Sequence, residues 1–326
     1  MQNLKVKIIF FGTPEFGAII LEELTKGGYQ PILVITAPDK PVGRGQILTP
    51  PPVKVIAQKY KIPTLQPDKI LDSKFKIQDS KPDLIVVAAY GQILPKEILD
   101  IPKRGSLNVH PSLVPKYRGA SPIQHVILNG EKKTGITIIL MDEKMDHGPI
   151  LNQRALEIEE DETSTTLHDT LANLGASLLM ETIPKWMRGK IKPRPQDDAQ
   201  ATFTKILTRE DGRINWKKTA EDLEREIRAF DYWPGSFTFW EKRDGTIVRI
   251  KILKTRVLKS TGGITYPIGK TLVAPQNEIC IQCRKGFLGK GGDFLVIERL
   301  QLEGKKEMGS EEFLRGHPDF IGTILK

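Results

Sequence analysis

The strongest constraint on the fold is an alternation in the first half of the chain, where short apolar runs rich in β-branched residues are each followed by a stretch with helical spacing. Residues 7–11 read as a strand closed by Gly12, Thr13 and Pro14, and residues 18–24 space their apolar side chains as a helix that stops at Gly27 and Gly28. A strand over 31–36, a helix over 53–60 and a buried strand over 84–89 follow in the same order. Strands that are apolar throughout, rather than at every second residue, belong to a parallel sheet covered on both faces. Right-handed crossovers then predict an α/β domain built on an open, Rossmann-like, mostly parallel sheet, with ligands beyond the carboxyl ends of the strands.

At 326 residues the chain exceeds one such domain and, at roughly 150 residues per domain, holds about two. The composition changes over 184–195, where five basic residues and three prolines occur without an acid, which reads as an extended linker. Residues 219–230 are amphipathic and helical, and from Trp233 onward short β-branched and aromatic runs recur between Gly-rich turns, the pattern of a small barrel. The expected division is a catalytic α/β domain over 1–184, a basic linker over 185–206 and a C-terminal, OB-like β-barrel over 207–326. Charge is distributed unevenly. Of the 49 basic and 40 acidic residues, the window 242–290 holds eleven Lys/Arg against two acids, so the net +9 resides there and the rest of the chain balances. A local basic surface suits a polyanionic partner, although lysines guarding exposed strand edges give the same pattern.

Other classes are excluded by the same counts. With 39% hydrophobic and 27% charged residues the chain is not generally disordered, and no apolar run approaches the ~18 residues that span a bilayer. The N-terminal residues pass directly into strand-like sequence without a cleavage site, and two cysteines cannot form a disulfide scaffold. A bacterial cytoplasmic, monomeric protein without membrane association is the expectation.

Five segments are candidates for chemistry. Gly12-Thr13-Pro14-Glu15-Phe16-Gly17 has phosphate-loop spacing but lacks the Lys and Ser/Thr that a phosphate loop needs, so it reads as a tight strand-to-helix turn. In Ser106-Leu107-Asn108-Val109-His110, Leu107 and Val109 face one way and Asn108 and His110 the other. A side-chain amide beside an imidazole at the carboxyl end of a strand is suited to hold a carbonyl and handle a proton. An alternating strand over 134–142 runs into a loop with Asp142, Asp146 and His147, where a carboxylate can fix an imidazole tautomer or merely cap a turn. The Pro/Gly-rich loop over 38–46 is long and basic for an α/β connection, and Arg44, set between two glycines, is suited to reach a phosphate. Cys280 and Cys283 lack further zinc ligands nearby and point to opposite faces of a strand, so both read as packing residues, and no metal is expected.

Asn108-Val109-His110-Pro111-Ser112-Leu113-Val114-Pro115, continued by Arg118-Gly119-Ala120-Ser121-Pro122 and the distant Asp146-His147-Gly148, resembles the signature of the formyltransferase family that uses 10-formyltetrahydrofolate. Val114 stands where that family usually has Leu, and Lys116-Tyr117 replaces Arg-Trp. Members acting on glycinamide ribonucleotide or amino sugars share this core, so the core does not fix the acceptor. Phe10-Phe11-Gly12-Thr13-Pro14-Glu15-Phe16, the loop Asp39-Lys40-Pro41-Val42-Gly43-Arg44-Gly45, and Phe230-Asp231-Tyr232-Trp233-Pro234-Gly235-Ser236 are similar to the branch that acts on methionyl-tRNA. The resemblance implies transfer of a formyl group from 10-formyltetrahydrofolate to the α-amine of methionyl initiator tRNA. It implies that Asn108 and His110 donate hydrogen bonds to the formyl oxygen and that Asp146 orients His110 and helps move the amine proton. It implies a pterin pocket from Ser112, Leu113, Val114, Pro115, Tyr90, Gly91, Ile93 and Leu94. It further implies tRNA contacts from Lys40, Arg44, Lys190, Lys192, Arg194, Lys251, Lys254 and Arg256. The alternatives are a formyltransferase for a small amine or amino-sugar nucleotide, and a non-catalytic nucleic-acid-binding protein.

Overall fold

Strand β1 (Ile8–Gly12) is buried along its whole length, as an apolar run must be when both sheet faces are covered. A computed structural model describes residues 5–43, 45–259, 266–284 and 294–326 and divides the chain into two units. The first unit comprises Met1–Pro122, Lys132–Ile158 and Thr166–Lys205; the second comprises Ile123–Glu131, Glu159–Thr165 and Ile206–Lys326.

In the first unit β1 leads through α1 (Glu15–Lys26) to β2 (Leu33–Ile35), then to a hairpin of β3 (Lys40–Val42) and β4 (Ile47–Thr49), and on to α2 (Pro52–Lys59) and β5 (Thr64–Leu65). Helix α3 (Lys74–Asp79), β6 (Leu84–Ala88), α4 (Lys96–Leu99), β7 (Ser106–His110), β8 (Arg118–Gly119), α5 (Pro122–Leu128), β9 (Lys133–Leu140), β10 (Ile150–Glu157), α6 (Ser164–Met187) and β11 (Phe203–Thr204) follow in sequence, α5 from Ile123 onward and the first two residues of α6 being assigned to the second unit. The sheet order is β10-β9-β7-β6-β1-β2-β5. Strands β7, β6, β1, β2 and β5 run parallel, while β9 and β10 each pair antiparallel to their neighbour. The Gly12-to-Gly17 turn is structural, since a Cβ at Gly17 would sit 2.7 Å from the Ala88 carbonyl oxygen and only glycine lets α1 approach β6 so closely.

Two stretches gain definition here. The 38–46 stretch expected as an irregular loop is largely a hairpin, β3 pairing antiparallel with β4, and its Val42, Ile47 and Leu48 are exposed. Residues 185–206, expected as a linker, belong up to Lys205 to the first unit. Arg194 and Ile150 exchange backbone hydrogen bonds of 2.7 and 2.9 Å, and β11 pairs in parallel with β8. Pro184, one of the three prolines that suggested a linker, lies inside α6, whereas Pro193 and Pro195 flank Arg194, where the chain is extended and pairs with Ile150.

The second unit contains α7 (Ala220–Ala229), whose N-terminus is capped by Thr219 accepting from the Asp222 amide, and an antiparallel sheet. Its strands are β12 (Ser236–Glu241), β13 (Ile247–Leu258), β14 (Thr271–Ala274), β15 (Glu278–Gln282), β16 (Phe294–Leu302) and β17 (Glu307–Gly309), and α8 (Ser310–Gly316) follows. The order is β12-β13-β16-β15-β14 with β17 added on β16. The sheet curls around Trp240, Phe313 and Phe320, with ring centroids 5.0 to 6.1 Å apart. Segment 323–326 bonds to both sheet edges, Lys326 with Phe239 of β12 at 3.1 Å and Thr323 with Thr271 of β14 at 2.9 Å. Cys280 packs with Ala274 and Val296, whereas Cys283 lies in the main core, so the two sulfurs occupy opposite faces. No described helix is long and apolar enough to cross a membrane.

Candidate active site

Alternation along β7 buries Leu107 and Val109 on one face and leaves Asn108 and His110 together on the other. Beyond β9 the chain turns back and brings Asp146 to them. Asn108 Nδ2 donates to Asp146 Oδ1 at 3.0 Å, the Gly119 amide donates to Asp146 Oδ2 at 2.8 Å, and His110 Nδ1 lies 3.6 Å from Asp146 Oδ1. The three side chains thus meet at the carboxyl end of β7, where an open α/β sheet places its ligand. Asp146 holds a left-handed conformation, φ 49°, which costs a non-glycine residue on the order of 1 kcal/mol and persists only where the surroundings enforce it.

The orientation of His110 alters the expected role. Nε2 lies 2.9 Å from the Tyr117 carbonyl oxygen, which only accepts, so Nε2 carries the proton and donates to it. The nitrogen left for a substrate is Nδ1, and it donates only when the ring is doubly protonated. The expected donation from His110 therefore requires the imidazolium, with Asp146 Oδ1 beside it as counter-charge.

Thr137 on β9 anchors the loop after β7. Its Oγ1 donates to the Ser112 carbonyl at 2.7 Å and accepts from Gln153 Nε2 at 2.8 Å, and Gln153 also donates to the Val114 carbonyl at 3.0 Å. The eight residues expected around a pterin fall into two groups. Ser112 is buried with Oγ donating to the Lys116 carbonyl, Val114 packs on Ile139 and Ile150, and Tyr90 and Leu94 sit in the core cluster with Ile9 and Phe11. Their side chains form framework. Burial pushes the Tyr90 phenol up to about 12, and its hydroxyl has no hydrogen-bond partner among the described residues. Gly91, Ile93, Leu113 and Pro115 retain exposure; Gly91 has φ 88° with open space where a side chain would be, and Ile93 is 75% exposed. Accessible backbone flanked by apolar side chains fits a flat heteroaromatic ring.

Of the expected tRNA contacts, Lys40, Lys190, Lys192, Arg194, Lys251 and Lys254 are exposed and Arg256 is half-buried. Arg44 lies outside the described residues, as do Lys285 and Lys290 of the basic window. Lys254 pairs with Glu298 at 3.3 Å, and Arg256 pairs with Glu278 and, at 3.5 Å, with Glu298. Strand pairing thus neutralises part of the charge that the linear window suggested.

Three participants escaped sequence reasoning as site groups: the Tyr117 carbonyl, the Gly119 amide and Gln196. Tyr117 and Gly119 flank Arg118 in a quoted motif, but the motif does not reveal which backbone atoms face the site. Gln196 lies 50 residues from Asp146, whose carbonyl it bonds, and carried no signal. Among the described residues, no group of three or more His, Cys, Asp or Glu is placed to hold a metal ion.

An amide donor, an imidazole and a carboxylate around one point suit transfer of a carbonyl group to an amine, and comparison with known proteins specifies the group. The chain belongs to the formyl transferase family: residues 4–183 match the formyl transferase model and residues 206–318 match the formyl transferase C-terminal domain. Within that family it is similar to methionyl-tRNA formyltransferases. That of Caldanaerobacter subterraneus subsp. tengcongensis is 44% identical over 98% of this chain and 100% of its own, and that of Staphylococcus aureus strain MW2 is 41% identical over 95% and 96%. Two solved structures share the fold. HypX from Aquifex aeolicus, solved with tetrahydrofolic acid, superposes with a TM-score of 0.62 at 16% identity, covering 98% of this chain, which spans 48% of that longer protein. WlaRD, a sugar 3N-formyl transferase solved in the presence of dTDP and 5-N-formyl-THF, gives 0.62 at 20% identity over 90% and 98%.

Proposed function

We propose that this chain transfers the formyl group of 10-formyltetrahydrofolate to the α-amino group of methionine on initiator tRNA. The observation that carries this reading is the convergence of Asn108 Nδ2 and His110 Nδ1 on Asp146 Oδ1, at 3.0 and 3.6 Å, in a chain whose relatives along nearly its full length are methionyl-tRNA formyltransferases. The bound folate would supply an activated formyl carbon and a nitrogen leaving group. One Asn108 Nδ2 hydrogen is committed to Asp146, and the second serves the formyl oxygen as negative charge gathers there. His110, fixed through Nε2 on Tyr117, presents protonated Nδ1 to the same oxygen. Asp146 neutralises that ring and, directly or through water, guides the proton leaving the attacking amine. Gly91, Ile93, Leu113 and Pro115 would hold the pterin.

The curled sheet of the second unit is read as an OB-like barrel that tracks phosphates through Lys251, with Lys254 and Arg256 as weaker contacts. Lys40 and Arg44 would address the acceptor stem, and Lys190, Lys192 and Arg194 would add backbone contacts. The test is incubation with formylated folate and, separately, methionyl initiator tRNA, uncharged tRNA and glycinamide ribonucleotide. Formyl incorporation into methionyl-tRNA alone is expected; incorporation into the small amine instead would overturn the assignment.

A further inference from the structure

We infer that Gln196 is a positioning residue for formyl transfer, its carboxamide clamping the backbone of Asp146 to the side chain of Arg118. The inference rests on the role proposed for Asp146. Gln196 Nε2 donates to the carbonyls of both Asp146 and Gly148, each at 2.8 Å, and Oε1 accepts from Arg118 Nε at 3.1 Å and Nη2 at 2.8 Å. Both donors and both lone pairs of the amide are therefore used. The orientation is fixed by chemistry, because a flipped amide would set oxygen against two carbonyl oxygens and NH2 against a guanidinium.

Arg118 is a rigid anchor for this clamp. It is 3% exposed and its Nη2 donates to Asp198 Oδ1 at 2.7 Å, and that contact, with a smaller contribution from His147, holds the Asp198 carboxyl below its usual range. The neighbours of Arg118 are the groups that touch the reacting side chains, the Tyr117 carbonyl on His110 and the Gly119 amide on Asp146. The contacts close a ring from the Asp146 carboxylate through Gly119, Arg118 and Gln196 back to the Asp146 carbonyl. Within that ring Asp146 is gripped at both its side chain and its backbone, which accounts for its left-handed conformation. Without Gln196 the carboxylate remains but its position is no longer enforced, and a displacement near 1 Å is enough to cost up to about 100-fold in rate.

The experiment is a double-mutant cycle of Gln196→Ala with Asp146→Asn in the full chain, read as kcat and KM for formylation of methionyl-tRNA, with thermal unfolding followed in parallel. Gln196→Ala is expected to lower kcat by about 10- to 100-fold, to change either KM less than about twofold, and to add almost nothing in the Asp146→Asn background. Gln196→Glu guards against loss of folding, since it retains the Arg118 pairing while setting a carboxylate oxygen against the two carbonyls. Its rate relative to the parent should be low at neutral pH and recover as the pH falls toward ~5 and the glutamic acid regains a donor proton. An unchanged kcat, or an equal multiplicative loss with and without the Asp146 carboxylate, overturns the inference. Full activity of Asp146→Asn alone would instead remove the proposed role of Asp146, and the inference with it.

Discussion

Replacement of Asp146 by Asn is the sharpest test of the site. The two carboxylate oxygens of Asp146 both accept, one from Asn108 Nδ2 at 3.0 Å and the other from the Gly119 amide at 2.8 Å. Asparagine is isosteric but has only one acceptor. If its oxygen serves Gly119, its NH2 opposes the Asn108 NH2, and the negative charge that stood 3.6 Å from His110 Nδ1 is gone. The site then loses the alignment of one oxyanion donor and the charge that supports the other. Loss of one such donor costs roughly 3–4 kcal/mol, and at 1.36 kcal/mol per decade this corresponds to a 10²- to 10³-fold fall in kcat. Single-turnover formylation of methionyl-tRNA at saturating folate measures the chemical step directly. Melting temperature and tRNA affinity should change little, since the side chain is small and the basic surface is untouched. A single-turnover rate within about tenfold of the parent would refute the reasoning, because the assigned role requires the carboxylate and not its isosteric amide.

Three further outcomes follow from the same geometry. His110→Ala should abolish formyl transfer while tRNA affinity stays within about twofold; equal losses in both would show that the ring is structural rather than reactive. Lys251→Ala should reduce the salt slope of tRNA binding by about 0.9, whereas Arg256→Ala should reduce it less because Glu278 and Glu298 already pair with that guanidinium; identical slopes for the two variants would reject the distinction. In the second unit, burial raises the Glu226 carboxyl above its usual 4.5 despite the opposing pull of Lys218. The native state therefore favours the neutral acid, and the stability associated with it is complete below pH 4.5 and declines as the pH rises through the raised value. Glu226→Gln, which cannot ionise, should melt progressively higher than the parent as the pH is taken from 4 to 7; a difference independent of pH would refute the burial argument.

Much of the α/β unit was legible because its signals are local. Continuous apolar runs at β1 and β6 identified strands buried on both faces, and the two-residue period of β7 placed Asn108 and His110 together before any long-range contact was known. Other features were invisible along the chain for a common reason. The Pro-rich basic stretch looked like a linker because its partners, Ile150 and Arg118, are remote in sequence. Charge counted along the chain overstated Lys254 and Arg256, since the acids that pair with them stand on β15 and β16. Likewise, nothing in the spacing of the motif showed that the Ser112 hydroxyl donates to the Lys116 carbonyl.

By itself the sequence determined the alternation of elements, the shared face of the amide and the imidazole, and the family motif. These follow from backbone periodicity and side-chain type, which neighbouring residues impose on one another. Only the tertiary structure decided which nitrogen of His110 is engaged, which backbone groups hold Asp146, and that Gln196 completes the ring around it. Such choices are made by distances of about 3 Å between segments far apart in the chain, and hydrogen-bond strength falls away too steeply with distance and angle for spacing along the sequence to fix them.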